Sequence, residues 1–172
     1  VYVGMVTGKE SVYKNTNHGN IDVLNGENKV EKYIFIESFP STNQNMNSYL
    51  LSHKDELIQR KIKKFNEKNW FEWGAPRNIK TIRENFGKEC IYLYNITRRN
   101  IVAFKGTVRY FGGGLIMLIP KEKICLDNVV SYLNSSDFKD NFMFSGRFKI
   151  GHRQISKSYI PSFVKTHNNT KQ

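Results

Sequence analysis

Residue types and spacings that could support catalysis are sparse in this chain. Three consecutive glycines, Gly112–Gly114, could cradle a phosphate, but they lack dinucleotide-binding spacing and the Lys-Ser/Thr pair of a P-loop. We expect a hairpin turn there instead. The four histidines, His18, His53, His152 and His167, stand far apart, and none has a second His or Cys at metal-ligand spacing. The sequence therefore predicts no metal site.

Acid–base and nucleophilic sites are equally hard to assemble. A metal-dependent nuclease collects two or three carboxylates and a lysine around Mg²⁺, whereas the carboxylates here are scattered among bases. Glu72, Glu89, Asp127 and Asp137 stay open as individual candidates. The chain has no Gly-x-Ser-x-Gly nucleophile motif, no Cys-His pair in a context typical of a catalytic cysteine and no carboxylate dyad. These observations favour a binding protein over an enzyme.

Cationic and aromatic side chains suited to nucleic acid are easier to find. Aromatic planes stack on bases, while guanidinium and amide groups donate to phosphates and base edges. The predicted DNA-binding residues are Trp70, Trp73, Arg77, Asn78, Arg98, Arg99, Arg109, Tyr110, Arg147, Lys149, His152 and Arg153. For the two tryptophans, burial in the core is the competing interpretation. For Arg98 and Arg99, it is a solvated turn.

The segment Ser145–Arg153 is the densest of these. It places four basic or potentially basic side chains in one short stretch bracketed by glycines. A plain solvated hairpin rarely needs this density of charge, so we predict that the segment contacts nucleic acid.

Composition supports the same class. The 172 residues carry 27 Lys and Arg against 15 Asp and Glu, a net charge of +12, with 39% hydrophobic and 13% aromatic residues. This apolar content excludes a disordered polycation, and no apolar run approaches the roughly 20 residues that span a bilayer. Residues 1–59 have a net charge of −2, residues 60–112 of +9 and residues 113–172 of +5. This concentration of positive charge in one part of the chain is typical of a protein that neutralises phosphates.

The elements that must position these residues are short. We predict an α+β fold with small mixed or antiparallel sheets, about three to four helices and a single domain over 1–165, followed by a polar tail, 166–172. Strands are predicted at 1–6, 11–13, 33–36, 90–96, 101–104, 108–111, 115–119 and 148–150, and a loop at 15–28. Helices are predicted at 45–65, at 76–86, from Asp127 and over 137–144, with a turn or short helix at 152–159. Cys90 and Cys125 are expected to be buried free thiols of a cytosolic protein.

The chain contains, in order, five segments with a recognisable pattern: Val1–Tyr13, Trp70–Arg77, Lys88–Tyr92, Val129–Ser135 and Ile155–Pro161. Together they resemble a known family, the TaqI-like adenine-N6 DNA methyltransferases. Val1–Tyr13 resembles the V-x-V-G-x-x-T-G-x-D/E-x-V-F/Y run that opens the family's C-terminal target-recognition domain. Trp70–Arg77 resembles its W-F/Y-E-x-x-x-P-R element, and Val129–Ser135 its L-L-x-x-L-N-S helix. Lys88–Tyr92 and Ile155–Pro161 are similar to its intervening strand and closing segment.

The resemblance implies a division of labour. In the family, a preceding catalytic domain binds S-adenosylmethionine and receives the flipped adenine in an Asn/Asp-Pro-Pro-Tyr/Phe motif. The four prolines of this chain never occur as a pair, so we expect no methylation by this chain alone and no cofactor bound to it. Its expected partners are double-stranded DNA and an N-terminal catalytic domain, in a cytoplasmic, nucleoid-associated restriction-modification enzyme. The missing initiator Met agrees with a piece of a longer protein. An RNA-binding module and the DNA-binding subunit of a restriction endonuclease remain the alternatives.

Overall fold

The computed structural model describes residues 1–165. The predicted tail, 166–172, lies outside the described residues. In chain order the elements are β1 (Tyr2–Val3), α1 (Glu10–Tyr13), β2 (Ile21–Gly26), β3 (Lys29–Tyr33), α2 (Gln44–Ser52), α3 (Lys54–Ile58), α4 (Ile79–Asn85), β4 (Glu89–Tyr94), β5 (Ile96–Thr97), β6 (Ala103–Thr107), β7 (Leu115–Leu118), α5 (Leu126–Leu133), α6 (Ser136–Lys139), a 3-10 turn (Asp140–Phe142), β8 (Met143–Phe144), β9 (Arg147–Lys149), α7 (His152–Lys157) and α8 (Ser162–Lys165). The predicted α+β class with small antiparallel sheets is confirmed.

The chain divides into two compact units. Within residues 1–165, unit 1 contains Val1–Gly4, Lys80–Arg109 and residues 113–165, and unit 2 contains Met5–Ile79 and Tyr110–Gly112. No helix within residues 1–165 is long and apolar enough to cross a membrane.

Unit 1 is built on a four-stranded antiparallel sheet in the order β1-β7-β4-β6. Alternate residues of β4, such as Ile91 and Leu93, point into a core that α5 covers with Val129 and Leu133. The Asn134 amide at the end of α5 accepts hydrogen bonds from the backbone N–H groups of residues 102 and 103, at 2.7 and 3.1 Å, and donates to the carbonyl of residue 103 at 2.8 Å. This side chain fixes the start of β6 against the helix.

A second, three-stranded antiparallel sheet in unit 1 has the order β5-β9-β8. The sequence predicts a direct hairpin from residues 90–96 to residues 101–104. The structure confirms that these strands pair, with Leu93 opposite Ala103. Their connection, however, leaves the first sheet as β5 and pairs with β9. It therefore brings two distant basic segments into one sheet.

Unit 2 packs the hairpin β2–β3 with α1, α2 and α3 around an aromatic core. The prediction of a loop over 15–28 is wrong at Ile21–Gly26, which form β2, and 11–13 is helical rather than extended. The predicted long helix over 45–65 is two shorter helices, α2 and α3, and the second ends at Ile58. Beyond it, Arg60 turns into the interior, where the residue is only 8% exposed. One of the cations of the basic window 60–112 is therefore buried and not available on the surface.

Two other predicted helices are also shorter than expected. Residues 76–86 begin with a turn, because Asn78 has a φ of +63° that no right-handed helix allows, and α4 starts at Ile79. Residues 137–144 divide into α6, the 3-10 turn and β8. The predicted strand at 148–150 and short helix after 152 are confirmed as β9 and α7.

Candidate nucleic-acid interface

The three-stranded sheet of unit 1 has one face towards the core and one outer face, and the side chains of each strand alternate between them. Phe148, the middle residue of β9, is 1% exposed and packs in the core. Successive side chains of a strand point to opposite faces, so Arg147 and Lys149 lie on the outer face. The cross-strand partners of these two residues are Phe144 and Ile96, respectively, which therefore share that face.

A tight turn connects β8 to β9. Ser145 and Gly146 have φ values of +50° and +74°, the positive values of a two-residue type I′ hairpin. Glycine adopts such a value without strain, and Gly146 has open space around its Cβ position. The turn therefore fixes the register that aims Arg147 and Lys149 outward.

The loop after β5 brings two further arginines to the edge of this sheet. Thr97 pairs with Phe148, so the same register places the next residue, Arg98, beside Arg147. The Thr97 hydroxyl accepts a hydrogen bond from the Arg99 backbone N–H at 3.1 Å, and Lys139 donates to the Asn100 carbonyl at 2.8 Å. Arg98 and Arg99 are both exposed. Contact of these two arginines with DNA stays a prediction.

Helix α7 follows β9 directly and carries the last predicted cations. Its start is fixed by the Gln154 side chain, which accepts a hydrogen bond from the Gly151 backbone N–H at 2.7 Å. His152 and Arg153 are exposed in its first turn. We call Arg98, Arg99, Arg147, Lys149, His152 and Arg153 together the basic patch.

The cations of the basic patch are not neutralised locally. None of them forms an ion pair with a carboxylate of residues 1–165, whereas Lys14, Lys32 and Lys63 of unit 2 all do. Unit 1 as far as Lys165 has 15 Lys and Arg against 6 Asp and Glu, a net charge of +9, whereas unit 2 has 11 against 9, a net charge of +2. Unit 1 thus carries most of the positive field.

Arg147 has a further peculiarity. Its Nε is shielded from solvent and has no hydrogen-bond partner among the described residues. A buried charged N–H without a partner costs free energy, which an acceptor oxygen from a bound anion can recover.

A cavity of about 630 Å³ opens beside the patch within unit 1. Its lining combines Ile96, Phe144 and Lys149 with polar side chains such as Asn95 and His152. The Asn95 amide donates to the Gly113 carbonyl at 2.7 Å, while its Oδ1 is buried with no partner in the described chain. Within residues 1–165, no group of three or more His, Cys, Asp or Glu side chains is arranged to hold a metal ion.

The prediction that Trp70 and Trp73 contact DNA is not supported, because both rings are buried in unit 2, at 3% and 2% exposure. Trp73 donates from Nε1 to the Ile34 carbonyl at 2.7 Å, and Trp70 packs edge-on against Phe39 with ring centroids 4.8 Å apart. Neither ring has a free face on which a base could stack. The structure therefore favours the competing interpretation, in which both tryptophans belong to the core.

The other predicted residues of the middle segment lie outside the patch. Arg77 is exposed in unit 2, in the turn that contains Asn78, and Tyr110 is half-buried there against Phe35, with ring centroids 6.3 Å apart. Arg109 belongs to unit 1 and is half-buried, with a shielded Nε that has no hydrogen-bond partner among residues 1–165. Contact of these four residues with DNA stays a prediction.

Sequence reasoning missed the apolar members of the outer face. Phe144 is 65% exposed and Ile96 is 49% exposed. Phe144 was assigned to a helix, so nothing indicated that it faces solvent beside Arg147. The signal that could have revealed it is the dipeptide Ser145-Gly146, a typical two-residue hairpin turn between short extended segments.

Comparison with known proteins gives one relative of interest. No protein-family profile matches the chain. The chain is 27% identical over 148 residues to the type II methyltransferase M.MjaIV of Methanocaldococcus jannaschii, an alignment that covers 82% of this chain and 48% of the relative. The chain thus spans about half the length of the relative that it matches. This similarity supports a methyltransferase-related protein.

Proposed function

We propose that the chain is the target-recognition part of a site-specific adenine-N6 DNA methyltransferase of a restriction-modification system. In this role, unit 1 binds duplex DNA through the basic patch. The observation that carries the proposal is the sheet β5-β9-β8, which combines two sequence-distant basic segments whose cations have no carboxylate partner among residues 1–165. Similarity to a methyltransferase over most of the chain supports the enzymatic context.

The shape of the patch favours a duplex. A β-ribbon can enter a groove of B-DNA, and β8–β9 is such a ribbon with a two-residue tip, at one edge of the three-stranded sheet. Arg147 and Lys149 lie on its outer face, while Arg98 and Arg153 flank it on a loop and a helix. Ribbon side chains would read base edges, and the flanking cations would hold phosphates.

Methyl transfer itself belongs to the catalytic domain that the proposal places before this chain in the whole protein. That domain would bind S-adenosylmethionine and the flipped adenine. The residues of this chain would bind the duplex, position it relative to the catalytic domain and discriminate between base sequences. A DNA partner of this kind implies a cytoplasmic, nucleoid-associated location.

Salt-dependent binding tests the proposal. Fluorescence anisotropy with the full 172-residue chain and a labelled duplex should give an affinity that falls steeply between low and moderate salt, because each neutralised phosphate contributes about −0.9 to the slope of log K against log salt. The variant Arg147→Gln/Lys149→Gln/Arg153→Gln should lower the magnitude of that slope by roughly 3.

A matched control is available in unit 2. Lys61, Lys64 and Lys68 are exposed there and also lie in the basic middle of the sequence. Changing all three to Gln alters the net charge equally but should change the slope by less than about 1. Absence of duplex binding at low salt, or equal effects of the two variants, would contradict the proposal. Preference for single-stranded RNA would favour an RNA-binding module, and Mg²⁺-dependent plasmid cleavage a nuclease.

A further inference from the structure

The tip of the β8–β9 hairpin exposes a large aromatic side chain in a cationic setting. Phe144 is 65% exposed, and its neighbour Met143 is 47% exposed. Met143 pairs with Phe148 and therefore points to the opposite face from Phe144, which shares the outer face with the exposed Ile96. An exposed aromatic ring with an exposed aliphatic neighbour on one face is typical of a contact surface. The question is which partner would cover them.

Charge identifies the partner. Phe144 lies directly opposite Arg147 on the outer face, and Lys149 follows on the same face. A phenyl ring framed by unpaired cations is poorly suited to a neutral protein surface, but it matches a polyanion that also offers flat apolar surfaces. Stacked base pairs between two phosphate backbones have both properties.

The ring also has a firm support. On the opposite face of the hairpin, Phe148 packs against Phe142 and Phe138, with ring centroids 6.2 and 6.4 Å away. Phe138 and Phe142 are themselves in contact, with centroids 5.1 Å apart. This aromatic layer and the two-residue turn fix the backbone from which Phe144 projects, so its insertion would cost little backbone conformational entropy.

We propose that Phe144 is a wedge that inserts between two stacked base pairs of the DNA held by the basic patch. The proposal rests on the duplex binding proposed above and adds a deformation to it. Wedge residues unstack a base step and kink the duplex by about 20–90°, most easily at flexible pyrimidine–purine steps. Phe144 would thereby contribute to specificity by selecting a deformable step rather than by hydrogen bonding to a base.

The test starts from a duplex selected out of a random-sequence pool by the full wild-type chain. Donor and acceptor dyes at its two ends report bending by energy transfer. Phe144→Ala should weaken binding by about tenfold or more, remove most of the bend and leave the salt slope unchanged, because stacking is lost while the phosphate contacts remain. Phe144→Leu, which keeps an apolar wedge, should retain part of the bend.

The control is Phe86→Ala. Phe86 is 61% exposed at the end of α4, outside the three-stranded sheet, so its loss should change neither affinity nor bending. Circular dichroism melting would check that all three variants are folded.

The outcomes separate the two proposals. If the wild-type chain binds no duplex, duplex recognition itself fails. If it binds with steep salt dependence but Phe144→Ala binds and bends the duplex as the wild type does, the wedge is refuted and duplex recognition stands. If light scattering shows a dimer that Phe144→Ala converts to a monomer, with no change in bending, the ring covers a second copy of the chain and the wedge is again refuted.

Discussion

Arg60 in unit 2 offers the sharpest test of the structural reasoning. Its guanidinium donates to four backbone carbonyls: from Nε to Leu57 at 2.9 Å, from Nη1 to Thr7 at 2.6 Å, and from Nη2 to Trp70 and Glu72, both at 2.8 Å. The guanidinium carbon also lies 3.8 Å from the centroid of the Phe65 ring. Burial lowers the pKa of Arg60 below its usual value, but the group remains a cation at any physiological pH. It holds together three stretches of chain that no regular element joins.

The cost of Arg60→Met follows from these contacts. Hydrogen bonds from a charged donor contribute about 1.5–3 kcal/mol each, so four would supply about 6–12 kcal/mol. Desolvation of the guanidinium offsets several kcal/mol of that sum. The Thr7 carbonyl keeps a bond from the Gly74 N–H at 3.0 Å, and the Glu72 carbonyl keeps one from the Tyr13 hydroxyl at 3.3 Å, so these two are not orphaned. We therefore expect a net loss of roughly 3–5 kcal/mol, a large part of the 5–15 kcal/mol that stabilises a typical domain.

Urea unfolding followed by circular dichroism measures this loss. Lys61→Met is the matched control, because Lys61 is the adjacent cation and is exposed, and it should cost less than about 0.5 kcal/mol. Arg60→Lys should recover only a minor part, since one ammonium cannot reach carbonyls spread around a planar guanidinium. An Arg60→Met chain within about 1 kcal/mol of the wild type would refute the assignment of Arg60 as a structural cation.

Two further expectations concern single side chains. Arg153→Ala and Arg77→Ala should each weaken binding to the selected duplex by about 1–3 kcal/mol if these arginines contact base edges, measured by competition against near-cognate sites; unchanged discrimination would remove them from the interface. Burial raises the pKa of the Cys90 thiol to about 11, so at pH 8 it stays protonated, and a thiol-specific reagent should modify the half-buried Cys125 first. Faster loss of the Cys90 thiol, detected by peptide mapping, would show that the core around it opens.

The excess of positive charge in the sequence correctly indicated a basic surface. The charge of sequence windows, however, did not show which cations lie together on that surface. The window 60–112 has the largest excess, but it combines unit 2 residues, including the buried Arg60, with the loop of Arg98 and Arg99. Only the pairing of β5 with β9 joins that loop to the segment 147–153, and pairing between strands some 50 residues apart leaves no trace in local composition. The segment 147–153 was recognisable because its density of cations is local.

The predicted secondary structure is correct for elements with one buried face. It is wrong where the chain changes direction. The spacing in α5 and the apolar runs of β4 and β7 gave correct elements because the core decides them. The helix expected over 45–65 ends early because the four carbonyls bound by Arg60 require a non-helical path, a tertiary requirement that outweighs periodicity. The two tryptophans looked equally suited to a base or to a core, and only the surrounding rings decide between these roles.

The three residues of β9 also constrain how a recognition surface of this kind can change during evolution. Phe148 is anchored in the core while its two neighbours face outward, so a one-residue insertion or deletion in the Ser145-Gly146 turn would reverse all three side chains. It would bury two cations and expose the phenyl ring at once. If the hairpin recognises DNA as proposed, new sequence preferences would arise by substitution at positions 144, 147 and 149, whereas changes of length would be confined to the arginine loop before β6.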